Sequence, residues 1–459
     1  MSRARGTRVT DAATEVVRYR FRAYPNAKQA SAFARLFGCV RVVYNDALAY
    51  CRAEHAAGRG FPSDIQTQVL TRAKSTEQRA WLNQVYGVCL VQAVNDAKTA
   101  YRNFFDSVNG KRAGRRVGLP RMKSRHDHYD SARFTSAARF TVETDPVDAS
   151  VGWLALPKMY GRLRFAASRA LPSTPTSVTV IREPDGRYYV SFVVTRPIER
   201  NPTPTGRGVG VDVGLSSYAH TVSVDTTTGE EIETARIETP AYLRRRARAL
   251  ARSQRAFSRT QKGSRNRDKA RHRVAVAHRK VREARLNHAH QQAARLVAAH
   301  DTIVVESLDL TTMVKARSLS KSVADQGLGQ FLALVEEKAV RAGKRFVKVS
   351  RRYPSTQLCS TCGTKTGPRG RHELGVRSWT CGTLPGRGTG CGAVHDRDVN
   401  AARNIYTEGL RILATTHVAD GRSETLNACR GTRRRTTARP SPHAPVKQEE
   451  AREISPSPG

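Results

Sequence analysis

The sequence predicts an α+β chain of several domains. An N-terminal β-barrel is interrupted by a helical insert, and an α/β domain follows into which a zinc ribbon is spliced. Three observations carry this reading. Short alternating strands such as Tyr188–Val194 follow an early stretch of helical periodicity. Two buried-type strand segments carry an acid, Gly208-Val-Gly-Val-Asp212-Val-Gly214 and Thr302-Ile-Val-Val-Glu306. A Cys-x-x-Cys pair, Cys359 and Cys362, is followed by Cys381 and Cys391 and then by His395-Asp-Arg-Asp398-Val-Asn400, an acidic helix start.

Taken in order, residues 1–18 are expected to be unstructured, and Tyr19–Pro25 alternates as a strand. From Asn26 to about Ser107 the chain is helical, in segments Ala27–Cys39 and Val40–Ala57 with apolar residues at three-to-four spacing. A basic, glycine-rich linker, Asn109–Ser124, leads to short strands between Ala132 and Thr195. They include Phe140–Val142, Leu154–Leu156, Ser177–Ile181 and Tyr188–Val194, the last preceded by an Asp185-Gly186 hairpin turn. The barrel is thus assigned residues 19–29 and 118–200, and its helical insert residues 30–117. Pro202–Gly206 is a linker. The second domain, 206–350, begins with the Asp212 strand and a strand Tyr218–Val224 turning at Thr226–Gly229. Basic helices at 241–300, the Glu306 strand, a helix near Leu328–Ala342 and a strand Arg345–Ser350 follow. The zinc ribbon takes 351–395 and a closing helix 396–417. From 418 onward the chain is rich in Pro, Ser, Thr and Arg and reads as a disordered tail.

The charge narrows the partners. Among 459 residues, 79 Lys and Arg oppose 39 Asp and Glu, a net charge of +40, which calls for a polyanion. Between Ala241 and His290, 17 basic residues face only Asp268 and Glu283, so a helix there repels itself without a polyanion against it. No apolar run is long enough to span a bilayer. Met1–Gly6 is basic but lacks the apolar core of a secretory signal. Four clustered cysteines favour metal ligation in a reducing compartment over disulfides, with Cys39, Cys51, Cys89 and Cys429 as ordinary thiols. A cytoplasmic location is expected.

Strand alternation sets Asp212 on the face opposite Val209, Val211 and Val213, between glycines that leave room for a phosphate. Glu306 ends its strand, where ligands gather in open α/β sheets. Asp398 opens a helix, where its plain role is capping. Three acids in this order suit phosphodiester hydrolysis, in which two Mg²⁺ ions about 4 Å apart flank the reacting phosphate and take hard oxygen ligands. Asp396 competes with Asp398. Asp398 is favoured because it directly precedes the helix and would aim inward, leaving Asp396 as a supporting group. Cys359, Cys362, Cys381 and Cys391 would hold one Zn²⁺ tetrahedrally. The spacing between the last two exceeds the usual knuckle, and Thr383–Gly390 reads as an inserted loop. His372 or His395 is a substitute ligand, and a metal-free ribbon is the plain alternative.

Together these residues resemble the TnpB (OrfB) family of insertion-sequence elements. The match runs nearly end to end, through Tyr19–Pro25, Gly38–Asn45, Gly118–Ser124, Leu156–Lys158, Gly210–Gly214, Val304–Leu308, Tyr353–Thr356 and Asp396–Asn404. The resemblance implies an RNA-guided DNA endonuclease with an RNase H-like, RuvC-type nuclease domain. It implies Asp212, Glu306 and Asp398 as the catalytic, Mg²⁺-binding triad and the four clustered cysteines as structural zinc ligands. The implied partners are a guide RNA from the element end and double-stranded target DNA, bound by a monomer. Tyr44 and Asn45 are candidates for reading a flanking DNA motif. The chain departs from the family at Arg285-Leu-Asn-His-Ala-His-Gln-Gln292, where an Asp-Phe and a His-Lys pair are usual. Rival readings are a miniature type V CRISPR effector, a nuclease-inactive guide-dependent repressor, and a strand-joining transposase using His288 and His290. In a basic helical run, two solvated histidines are the expected state for the last pair.

Overall fold

The computed structural model describes residues 14–112, 114, 116–198, 203–309, 313, 320–370, 373, 375–384, 386 and 388–419. Of the tail expected from 418 onward only 418 and 419 are described, and they are helical; the rest of it, residues 1–13 and His372 lie outside this set.

Strand β1, Thr14–Tyr24, starts earlier than expected. Thr14–Ala23 pairs antiparallel with β7, Tyr188–Pro197, and Val17 enters the core, so 14–18 are ordered rather than unstructured. The intervening strands are β2 (Asp130–Thr135), β3 (Thr141–Thr144), β4 (Val151–Ala155), β5 (Arg162–Ala166) and β6 (Ser177–Arg182). They form one seven-stranded sheet in the order β2-β6-β7-β1-β5-β4-β3. Among the described residues no ladder joins β2 to β3, so the sheet is open and the expected barrel is corrected. The reason lies in what covers it. The insert forms α1 (Ala27–Ala56) and α2 (Gly87–Val108), whose Phe33, Phe37, Val40 and Leu90 share one core with Phe134, Val190 and Phe192. Helices bury the apolar face that closure would otherwise bury, and β3 is short and largely exposed. Helix α1 is continuous where two segments were expected. Its start is fixed by a capping box in which Asn26 and Gln29 satisfy each other's backbone N–H.

The second sheet comprises β8 (Arg207–Asp212), β9 (Ala219–Asp225), β10 (Glu231–Ile237), β11 (Thr302–Glu306) and β12 (Arg345–Val349), in the order β10-β9-β8-β11-β12. Strands β8, β11 and β12 are parallel, whereas β9 and β10 add antiparallel hairpins. Strand β10 was not anticipated, because nearly all its side chains are exposed and it carries no apolar alternation. The basic stretch divides into α3 (Tyr242–Ser258) and α4 (Arg265–Ala299), the second capped by Ser264. Helices α5 (Ser320–Gln326) and α6 (Leu328–Arg341) follow. Helices α4 and α6 pack through Ala293, Leu296, Phe331 and Val335 on the valines of β8 and β11. Helix α7 (Arg397–Ala419) covers the opposite face with Ala402, Ile405 and Tyr406. The hairpin β13 (Ser378–Thr380) and β14 (Val394–Asp396) runs directly into α7.

The glycines around Asp212 serve packing. A Cβ on Gly210 would collide with the Ala402 carbonyl and Tyr406 Cβ, and one on Gly208 with the Tyr406 ring. Backbone cannot yield as a side-chain tip can. Gly210→Ala is therefore expected to lift α7 off β8 and cost about 3 kcal/mol, read as a lowered melting temperature in a thermal denaturation series.

Helix α4 is not wholly a free basic surface. Arg279, only 6% exposed, pairs with Asp185 in the β6–β7 turn and with Glu283, while Arg282 reaches Glu183 at 2.6 Å. Glu183 also pairs with Arg20 of β1. This cluster ties the helix to the N-terminal sheet.

Candidate nuclease and metal sites

Asp212 closes β8. Because β11 lies beside β8 in parallel register, with Val305 level with Val211, Glu306 falls level with Asp212. Across the antiparallel ladder Asp212 faces His220 of β9. Asp398 arrives from the first turn of α7, its Oδ2 3.5 Å from His220 Nδ1 and 3.1 Å from Arg377 Nη1 of the ribbon. The fold thus brings together the three acids singled out in the sequence. Asp396 is spent elsewhere: its Oδ1 accepts from the Asp398 and Val399 N–H groups, each at 3.0 Å. It caps the helix, which leaves the Asp398 carboxylate available.

The site is electrostatically tense. Desolvation, then the Glu306 and Asp398 charges, push Asp212 up to about 8. Desolvation pushes Glu306 up to about 7. Both groups therefore hold protons near neutrality unless a cation is present. Asp212, His220 and Asp398 each offer an atom within 4.8 Å of the others, a set that can hold a cation.

A pH dependence follows. The folded values exceed the ordinary ones, so the folded chain binds more protons than the unfolded chain between about pH 4 and 8. The contribution of these two acids to metal-free stability falls as pH rises through that window. A cation must displace the same protons, so its apparent affinity should rise from pH 6 to 8 and level off above. Isothermal titration with Mg²⁺ at four pH values checks this, and a pH-independent affinity would refute it.

In the ribbon, Cys359, Cys362, Cys381 and Cys391 converge within 4.8 Å of one another. The Sγ atoms of Cys359 and Cys391, and of Cys362 and Cys381, are 3.7 Å apart. Four thiolates about 2.3 Å from a tetrahedral Zn²⁺ stand about 3.8 Å apart, so this donor set fits the ion. The long spacing before Cys391 is absorbed by backbone pairing: Cys381 N–H donates to Ala393 O at 2.9 Å and Gly392 N–H to Cys381 O at 3.1 Å. The Thr364 hydroxyl lowers the Cys362 thiol to about 6, which favours the thiolate. His395 stands outside the four-sulfur set. Its Nε2 is 3.0 Å from Cys359 Sγ, and its ring packs on Trp379. Cys39, Cys51 and Cys89 are free and buried, as expected.

Other expectations change. Asn45 uses both ends of its amide on the Lys123 backbone, at 2.9 and 2.8 Å, and Tyr44 is buried beneath the Lys123 ammonium. These contacts hold the Gly118–Ser124 segment against α1. His288 is not solvated; it packs edge-on against Tyr218 at 4.8 Å. Three residues were missed. Buried Asn400 and Asn404 donate to the Leu358 carbonyl at 2.7 and 2.8 Å, and Asn400 accepts from Ser360 N–H at 2.9 Å. Their spacing of four on one helix face was the available signal. His220 became visible only through the β8–β9 register.

Known proteins resemble this chain along most of its length. Residues 190–317 match the OrfB family of the IS605 type, described as "Probable transposase". Residues 329–405 match a "Cas12f1-like, TNB domain", and 17–60 a "Helix-turn-helix domain", although here that span is strand β1 followed by unbroken α1. A "Putative RNA-guided DNA endonuclease" of Streptomyces pristinaespiralis is 38% identical over 395 residues, covering 85% of this chain and 89% of its own. The protein InsQ of Escherichia coli strain K12, carrying the same description, is 27% identical over 412 residues, covering 86% and 93%. A Cas12f1–sgRNA–target DNA complex has a similar fold, with a TM-score of 0.50 at 11% identity over 86% of this chain and 99% of that one. With a relative of this identity matched along nearly its whole length, the chain belongs to the OrfB (TnpB) family.

Proposed function

We propose that this chain is an RNA-guided, divalent-metal-dependent DNA endonuclease associated with a transposable element. The observation that carries it is the meeting of Asp212, Glu306 and Asp398 at one edge of the second sheet, in a chain whose relatives carry that description. In this reading the three acids hold Mg²⁺, which when bound supplies charge stabilisation for phosphodiester hydrolysis. The chain's own residues do the rest. Asp212 and Glu306 surrender protons to admit the cations. Arg377 balances the Asp398 charge, while Gly208 and Gly210, expected from the sequence to leave room for a phosphate, instead admit Tyr406 and the Ala402 carbonyl of α7. The exposed arginines of α3 and α4 bind backbone phosphates, while base pairing to the guide reads the target sequence. The four ribbon cysteines hold one structural Zn²⁺.

The domain reading is a wedge-like sheet at 19–29 and 118–200 with its helical insert at 30–117. A RuvC-type nuclease domain takes 206–350 and 396–417, split by the ribbon at 351–395. The chain acts as a monomer on its nucleic acids in the bacterial cytoplasm. The fold likeness to a Cas12f1 complex supports a second reading, a miniature type V CRISPR effector.

The test is to purify the chain from cells carrying its native locus and sequence the RNA bound to it. One discrete RNA ending in sequence from beside the element is expected. Repeat-derived RNAs would favour the second reading, and heterogeneous or absent RNA would overturn guided function.

A further inference from the structure

We propose that His220 is a ligand of a divalent cation held between Asp212 and Asp398, making that half of the site a mixed oxygen–nitrogen centre with Glu306 on its other side. The inference rests on the reading of these carboxylates as a metal site.

Strand β9 runs antiparallel to β8 with His220 directly opposite Asp212. Paired residues on adjacent strands project on the same face of a sheet, so the imidazole stands beside the carboxylate. One atom from each of Asp212, His220 and Asp398 lies within 4.8 Å of the other two, and Glu306 is outside this group. Separations of that size suit donors sharing one cation at about 2.1 Å each. His220 Nδ1 also lies 3.1 Å from Ser217 Oγ. His220 is 8% exposed and Ser217 1%, so the ring is held in place rather than swinging in solvent. The facing groups are Asp212, Asp398 and the Ser217 hydroxyl, with Arg377 reaching Asp398 from the ribbon. Three clustered carboxylates already repel one another. A neutral imidazole completes the coordination without adding to that repulsion.

The consequence is metal preference. Imidazole binds later first-row metals more strongly than it binds Mg²⁺, while all-oxygen sites discriminate less. The His220 side should therefore take Mn²⁺ or Co²⁺ more tightly than an all-carboxylate site would.

The full-length chain, with zinc retained and Mg²⁺ removed, is loaded with Mn²⁺ and followed by continuous-wave and pulsed electron paramagnetic resonance. The wild type is expected to show ¹⁴N modulation from a bound imidazole, replaced by ¹⁵N coupling when its histidines are ¹⁵N-labelled. His220→Gln is expected to lose the modulation and at least about tenfold in Mn²⁺ affinity, with a smaller change for Mg²⁺. Bound Mn²⁺ without nitrogen coupling in the wild type would overturn the assignment, and that measurement needs no variant to fold. Modulation persisting in His220→Gln would do the same. Asp212→Asn separates this inference from the reading beneath it. If Asp212→Asn binds Mn²⁺ as tightly as wild type, the carboxylate site itself is misread. If it loses Mn²⁺ while His220→Gln behaves as wild type, only the histidine is wrong.

Discussion

Asp212→Asn is expected to reduce cleavage by roughly 10³-fold or more while leaving guide and target binding near wild type. The asparagine keeps the volume at the end of β8 and its place between Gly210 and Gly214, so the sheet is undisturbed. What it removes is the charge that lies between Glu306 and Asp398. The same variant makes a second, opposite prediction about stability. In the wild type, the Asp212 carboxyl is pushed up to about 8, so ionising it in the absence of metal opposes folding. Asparagine never ionises. With Mg²⁺ withheld, the variant should match the wild type near pH 4 and melt at a higher temperature at pH 8, because the wild-type penalty builds up between those two values. Calorimetry at the two pH values, beside a cleavage assay, checks both halves. Undiminished cutting would end the assignment of Asp212. Lost cutting together with lost stability at every pH would show a folding defect instead.

Cys359→Ala is expected to lose the one equivalent of zinc, and with it ordered structure between about 355 and 395. Structural zinc in small knuckles contributes on the order of 10 kcal/mol of apparent binding energy, and the ribbon's own core is small: Cys359, Trp379 and Cys381 with Val376 and Leu384 against them. The damage should not stop there. Asn400 and Asn404 lean on Leu358 and Ser355, and the Arg397 N–H donates to the Arg377 carbonyl. Losing the ribbon therefore frees the turn of α7 that presents Asp398, and cleavage should fall with it. The N-terminal sheet, whose core is separate, should melt as before. Metal analysis by mass spectrometry and limited proteolysis read the outcome. Retention of full zinc in this variant would remove Cys359 from the ligand set. Cys391→Ser is the companion, since it asks whether a ligand across the inserted loop is needed at all.

Much of this was legible in the sequence, for physical reasons. Asp212 and Glu306 sit in apolar runs, where an isolated carboxylate is costly and so stands out. Cysteine spacing announces a knuckle regardless of fold. What stayed hidden depends on partners far along the chain. Strand β10 is almost wholly exposed, with no apolar face of its own, and its ladder to β9 is what recruits it. The closure expected of the first sheet was lost to α1 and α2, because alternation reveals an apolar face without saying what covers it. His220 looked like any strand histidine until the register set it against Asp212. Asn45 looked available until the backbone of Lys123 came to meet it.

The Arg279 cluster gives α4 a mechanical property. An unbroken helix runs from that anchor at the β6–β7 turn to Ala299, about 30 Å at 1.5 Å per residue. Its last turn passes through His300 and Asp301 into β11, the strand that ends in Glu306. The helix is a stiff strut held by ion pairs to the N-terminal sheet and fastened at its far end to the sheet that carries Asp212 and Glu306. A tilt of a few degrees imposed at the anchor displaces the far end by an ångström or more, on the scale to which carboxylates must be aligned for a cation. The position of the β6–β7 turn and that of Glu306 are thus linked through a single helix.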